Sequence, residues 1–502
     1  MLRTLLINDH SKVPQLEKAT AVAFLTLIVV ALIVPVVTEG TMPLLWPLMV
    51  GLLSSALLFF IRPTGSDSNA FMRVGFYLGL FAFFICFPIL SPDEIRADIS
   101  DDTHRLLGLA LLLTVLGFEI SYWIFCGRKK DRRNTLLLQT GFRQRRWLLA
   151  FLIVGLFAWF FSVWDYSQTL DVPIERVLLS MRGRIQGGGQ DLAKPGYLAL
   201  FLGSGIFLSA TAASLLLTSY RLPFRNILLG WVTLLACVVI GFLSGSRALF
   251  LYSFVPVAVT GWKYLSRLRL LAFIRWPSIV AVGALIIIVW GAMSAMRGAD
   301  VRDFEGGLEE ILPVVHAQGA LDIYSMTAMV VQSFPDRIPY VQGESLVPLV
   351  FGWIPRTIWE SKPYPFGLYV NIIRGETLPD RGASLAVGLT GEGYGNFGLL
   401  GAFLWGLMAG VACRAGDKFL QKFKSDDPLR LLLAGMATIW IAMIVRGGVP
   451  EMFYMGLQVT VLPFILTKLL SRKQKVIRET LPAKARLHRG GLHSGPSVEF
   501  KS

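Results

Sequence analysis

RLLGLALLLTVLGFEISYWIFC (residues 105–126), GRKKDRRNTLLLQTGFRQRR (127–146) and WLLAFLIVGLFAWFFSVW (147–164) follow one another without a break. The outer two runs are each about long enough to cross a bilayer as a helix, which takes roughly twenty apolar residues. The connector between them carries Arg128, Lys129, Lys130, Arg132, Arg133, Arg143, Arg145 and Arg146 against a single Asp131. Short connectors this basic stay on the cytoplasmic side. Two crossings joined by an inner connector define an all-α polytopic membrane protein.

The same ruler applied outward predicts about twelve transmembrane helices. They lie near 19–38, 43–61, 71–90, 105–126, 147–164, 196–218, 227–243, 248–262, 276–295, 386–412, 429–445 and 453–470. Lys263, Arg267 and Arg269 mark a second inner connector, and Arg414, Lys418, Lys422 and Lys424 a third. SPDEIRADISDDTHR (91–105) is acidic and falls outside. These signs agree with both termini in the cytoplasm. The expected organisation is one transmembrane domain over 1–470 and a basic, disordered cytoplasmic tail over 471–502.

Composition supports this class. Of 502 residues, 54% are hydrophobic and 16% charged, where a soluble chain carries nearer a quarter charged. Lipid cannot solvate charge, so the deficit is required. The net charge of +15 sits beside apolar runs, which argues against nucleic acid as a partner. Cys86, Cys126, Cys237 and Cys413 all lie in or beside apolar runs, so no disulfide framework is expected. His10, His104, His316, His488 and His493 show no ligand spacing, so neither a metal nor another cofactor is expected. The apolar run after the polar N-terminus lacks a small-residue cleavage pattern and reads as a retained helix.

Two outer connectors, 165–195 and 296–385, are long, and loops of that length in a compact protein tend to be functional. Within the second, ILPVVHAQGALDIYSMTAMVVQSF (311–334) is apolar enough for a re-entrant or surface-lying helix. Both loops hold arginines. MRGRIQGGGQ places Arg182 and Arg184 beside Gly187, Gly188 and Gly189, where guanidinium forks and a pliable backbone suit a phosphate. LSGSRALF puts Arg247 at the outer boundary, where an ionisable group is costly; snorkelling to headgroups is the bland alternative. The second loop adds Arg297, Arg302, Arg337, Arg356, Lys362, Arg374 and Arg381. Its piece GESLVPLVFGWIPRTIWESKPYPFG (343–367) interleaves Trp353, Trp359, Tyr364 and Phe366 with four prolines. Such platforms hold sugar rings, and they also suit a membrane interface. GASLAVGLTGEGYGNFGLLG (382–401) then puts Glu392 and Asn396 four apart among glycines. A carboxylate withdrawn from water gains basicity and suits a general base; a Glu paired with an arginine for structure alone is the other reading. Glu344, Asp300, Asp303 and Glu451 are rival carboxylates.

GSR at 245–247, IPRTIWESKP at 354–363 and GLTGEGYGNFG at 388–398 together resemble the Wzy-type O-antigen and exopolysaccharide polymerases of bacterial inner membranes. The likeness covers the span count, the two large loops and roughly the second half of the chain. An arginine followed after ten residues by glycine, a family feature, is matched by Arg176 with Gly187 and by Arg356 with Gly367. The resemblance implies a glycosyltransferase C-like fold and no metal. It implies oligosaccharide units on undecaprenyl pyrophosphate as substrate, with membrane lipids, a chain-length regulator and a flippase as partners. By that analogy Arg247 and Arg356 contact the pyrophosphate, while Arg182, Arg184, Arg297, Trp359, Lys362 and Asn396 bind donor or acceptor. Glu392 is the first choice of base. Alternatives are an O-antigen ligase, a transporter of the lipid-linked sugar, and a non-catalytic assembly subunit.

Overall fold

The computed structural model describes residues 70–86, 99–125, 134–138, 142–170, 173–174, 205–220, 222–243, 247–267, 323–351, 354, 358–373, 386–423, 427–450, scattered positions between 452 and 465, and 471–475. The spans expected at 19–38, 43–61 and 276–295, and most of 453–470, lie outside these residues. In chain order the helices are α1 (Phe71–Phe81), α2 (Asp101–Ile124), α3 (Phe142–Leu170), α4 (Gly205–Ser219), α5 (Phe224–Leu243), α6 (Arg247–Arg267), α7 (Ile323–Ser333), α8 (Val347–Phe351), α9 (Phe366–Ile373), α10 (Gly388–Leu420) and α11 (Pro428–Gly447). Asp101–Ile124, Gln144–Asp165, Phe224–Phe242, Gly388–Leu420 and Pro428–Gly447 are long and apolar enough to cross a membrane. Phe71–Phe84 and Gly205–Ser219 are shorter apolar helices.

Local sequence explains where several helices start. Ser100 caps α2, its hydroxyl accepting the Thr103 N–H at 3.3 Å, and Asp101 and Asp102 favour the positive end of the helix dipole. Asp427 caps α11 in the same way, accepting from the Leu429 N–H at 2.9 Å, with Pro428 in the first turn. α4 is buried along its whole length and packs against α3, α5 and α6. α1 lies on α11, and α2 on α10. At the α1–α11 contact, a Cβ at Gly79 would come within 3.0 Å of the Ala442 backbone. Backbones held this close are the usual device of membrane helices, which gain little from hydrophobic burial against one another.

The tenth expected span, 386–412, is not a single crossing. Phe397 (φ −145°, ψ 25°) and Gly398 (φ 63°, ψ −145°) break α10 into 388–396 and 399–420. The two parts fold back on each other. Gly393 and Gly401, eight residues apart, are in direct backbone contact: a Cβ on Gly393 would stand 2.7 Å from the Gly401 carbonyl, and one on Gly401 would overlap the Gly393 carbonyl. Only 399–420 is the crossing helix, and its length of about 33 Å at 1.5 Å per residue matches a hydrocarbon core. Residues 388–396 form a half-helix inside the bundle. Glu392 therefore lies about one helical turn below the end of the bundle marked by residues 397–398.

α7 has a comparable design. It spans about 16 Å, too short to cross, and it is buried against α10 and α2. Of the two expectations for 311–334, the described part fits the re-entrant one and not the surface-lying one. Two short strands, β1 (Asn134–Leu138) and β2 (Ser471–Lys475), pair antiparallel with Leu136 opposite Lys473. The first five residues of the tail are thus ordered by the basic connector, in contrast to the disorder expected from 471 onward. The rest of the tail lies outside the described residues. If the helices cross a bilayer, this pairing requires an even number of crossings between residues 138 and 471.

The end of the bundle remote from Glu392 is closed by a buried ionic network. Arg73 on α1 donates to both carboxylate oxygens of Glu119 on α2, at 3.0 and 2.7 Å. Tyr77 and Trp123 donate to the same carboxylate at 2.5 and 2.8 Å. Asp417 on α10 accepts from the Met72 N–H at 3.0 Å and from Tyr122 at 2.8 Å.

Two outcomes follow from these packings. Gly401→Ala should remove most of the folded protein, read as the monodisperse peak in size-exclusion chromatography. Gly261→Ala, where an added Cβ meets nothing within 4 Å, should leave that peak intact. Glu119→Ala should cost about 3–5 kcal/mol by stranding a buried guanidinium, whereas Arg73→Met with Glu119→Leu should recover most of the loss, measured by thermal unfolding in detergent.

Candidate functional site

Glu392 and Asn396 sit one turn apart on the half-helix, and both are fully buried. Residues 341–345 of the large loop lie against its end. The Val341 N–H donates to the Gly395 carbonyl at 3.0 Å, and the Gln342 N–H to the Asn396 carbonyl at 3.2 Å. These bonds satisfy carbonyls that the half-helix leaves open where it stops. Gln342 and Gly343 both have positive φ, 52° and 87°, which turns the chain so that the Gly343 N–H reaches the Asn396 side-chain oxygen at 2.8 Å.

Asn396 also donates from its amide nitrogen to the Ser345 hydroxyl at 2.8 Å and to the Glu392 carbonyl at 2.7 Å. Its oxygen and nitrogen are both taken up by protein groups. Ser345, fully buried, stands 3.4 Å from Glu392 Oε1, so the Asn396 amide, Ser345 and Glu392 form a chain of polar contacts. On the other side, the Val449 N–H donates to Glu392 Oε2 at 2.6 Å. Gly448 makes this approach possible: it has φ 87°, and a Cβ there would stand 2.9 Å from Oε2. A carboxylate enclosed in this way is oriented before any substrate arrives. Such an arrangement can accept a proton or stabilise positive charge that develops beside it.

Nearby groups complete this end of the bundle. His104, four residues into α2, shares a 2.6 Å hydrogen bond with Tyr324 on α7, and both are buried. Thr327 on α7 donates to the Val387 carbonyl at 2.7 Å, tying α7 to the start of the half-helix. Arg446, in the last turn of α11 and three residues before Val449, has its guanidinium carbon 5.9 Å from the Phe83 ring.

The remaining sequence candidates are placed as follows. Arg247 is the first residue of α6. Arg182, Arg184, Arg297 and Arg356 lie outside the described residues, as do Asp300, Asp303 and Glu451. Trp359 donates to Ser361 at 3.1 Å, and Lys362 to the Ile354 carbonyl at 2.7 Å, contacts internal to their own loop. Glu344 is exposed at the start of a single 3-10 turn, so Glu392 is the one of the two described rivals that is shielded from water. The structure thus brings Glu392 and Asn396 together and adds Ser345, Val449 and the His104–Tyr324 pair. No sequence signal singled these out, because each is linked to its partner across 47 residues or more. Among the described residues no group of His, Cys, Asp and Glu is arranged to hold a metal ion.

Compared with models of protein families, with curated proteins and with solved structures, the chain matches none.

Asn396→Ala should leave the Gly343 N–H and Ser345 short of partners and lower stability by about 1–3 kcal/mol, read as a fall in the detergent melting temperature.

Proposed function

We propose that the chain is an inner-membrane polymerase of oligosaccharide repeat units, with about twelve spans, both termini in the cytoplasm and its reaction at the periplasmic face. The observation that carries this reading is the enclosed Glu392 carboxylate, held by the Val449 N–H and beside Ser345 on a half-helix near one end of the bundle. The same stretch supplies GLTGEGYGNFG, one of the pieces that resemble the Wzy-type polymerases.

In the proposed reaction the acceptor sugar's hydroxyl oxygen attacks the anomeric carbon of the donor. The bond from that carbon to the diphosphate oxygen breaks, and the diphosphate leaves with the electron pair. The hydroxyl proton passes to Glu392. Arg247 and Arg356 meet the charge growing on the departing oxygen, and fixed guanidinium groups in a water-poor site stabilise such charge strongly. Arg182, Arg184 and Arg297 position the saccharides. Asn396, with both polar ends engaged by protein, holds Ser345 and the loop in place and is not a direct ligand.

A transporter would need cationic side chains within the bundle. Arg73 is matched by Glu119, but Arg430 is a second buried cation in the bundle, so the transporter is kept as a second reading, which a flipping assay in vesicles would separate. A ligase would share this chemistry and differ in its acceptor.

Glu392→Gln should lower polymer formation by about 10²–10⁴-fold, the range for a lost general base, while the protein still accumulates in the membrane. Arg247→Ala and Arg356→Ala should each cost about 10²–10³, with lysine a poor substitute because the fork is lost. The readout is the ladder of surface glycan on a gel, complemented in a deletion strain. Wild-type ladders from all three variants would overturn the reading.

A further inference from the structure

Residues 350, 351 and 358 of the large loop carry bulky apolar side chains that the bundle does not cover. Ile358 is 77% exposed, Val350 60% and Phe351 42%. They lie on α8 and on the turn that follows it, outside every helix long enough to cross. In a soluble setting this exposure would be unfavourable, roughly 25 cal/mol for each Å² of apolar surface left in water.

The described residues of this segment are tied to one another and to the bundle. Phe351 and Trp359 meet edge to face with centroids 6.0 Å apart. Trp359 and Lys362 are bonded within the loop as described above. Its N-terminal side is fastened to the half-helix through Val341, Gln342, Gly343 and Ser345. It therefore keeps a fixed place relative to the turn at 397–398.

That turn is itself apolar and exposed: Phe397 is 39% and Leu400 63% accessible. A Cβ on Gly343 would lie 3.3 Å from the Phe397 ring, so the loop sits directly on this rim. The exposed apolar surface of the crossing helix thus runs on towards the loop. Trp359 and Lys362, an amphipathic ring and a cation on an apolar stem, are the residue types that settle at the headgroup level.

We infer that residues 347–351 and 358–362 form a membrane-interface element: Val350, Phe351 and Ile358 insert into the leaflet at the half-helix end of the bundle, with Trp359 and Lys362 at the headgroups. The partner is the lipid surface of the same bilayer. Seated there, the element anchors the loop whose Gly343 and Ser345 hold Asn396 and Glu392. The inference rests on the apolar helices crossing a bilayer and not on the polymerase reading, so either can fail alone.

The test uses the full chain in liposomes of phosphatidylethanolamine and phosphatidylglycerol, with the four native cysteines replaced. Spin labels are placed at Ile358→Cys, Val350→Cys and, as a water-facing control, Asp102→Cys, whose native side chain is 94% exposed. Labels at 350 and 358 should collide with oxygen and be shielded several-fold from a water-soluble nickel chelate, while the label at 102 shows the reverse. Labels at 350 and 358 as open to nickel as the control would overturn the inference. So would labels shielded from both reagents and immobilised, which would show a second copy of the chain or another protein on the patch.

Discussion

A helix that breaks off leaves its last carbonyls without partners in the helix, and where apolar side chains crowd them each unpaired group is costly. The half-helix 388–396 meets this constraint with backbone from elsewhere in the chain. Val341 and Gln342 donate to its last carbonyls, and Gly343 and Ser345 engage Asn396 at its end. Once these bonds form, the loop 341–346 can lie in only one place. Gly448 and Val449 close the other side through Glu392. The candidate site is therefore a product of satisfying a broken helix as much as of assembling chemistry.

Each end of the bundle holds a buried carboxylate, Glu119 at one and Glu392 at the other. At the remote end, Glu119 takes donors from Arg73, Tyr77 and Trp123, so its charge is matched and held. Pairs of this kind are expensive to break and add little net stability over an apolar core. At the half-helix end, the contacts to Glu392 include a backbone N–H and a serine at hydrogen-bonding range. The His104–Tyr324 bond and the Thr327–Val387 bond keep α7 fixed beside that end.

Much of the fold class was legible in the residues. Long apolar runs and the placement of lysine and arginine act through local transfer energies, so a chain read one window at a time reveals them. α2, α3, α5 and α11 fall close to expected spans and are long and apolar enough to cross, whereas α1 and α4 are shorter apolar helices within or across the expected 71–90 and 196–218. Glu392 and Asn396 also stood out, as two polar side chains one turn apart in an apolar, glycine-rich stretch, although pairing of the Glu with an arginine for structure alone was the other reading. The break at 397–398 was not legible. A two-residue turn between two apolar helices leaves no gap in hydropathy, and Gly398 is one of 48 glycines. Its positive φ is visible only in three dimensions.

By itself, then, the sequence determined that this chain builds apolar helices of the length and composition that cross a membrane, since solvation of each residue is nearly a local matter. Tertiary structure alone decided that 386–412 is a half-helix and the start of a crossing helix. It alone decided that Ser345 and Val449 face Glu392, and that Arg73 is answered by Glu119. These are pairings between residues 46 to 57 apart, fixed by which backbones can approach at glycine and by which buried polar groups find one another. No window of local sequence contains that information.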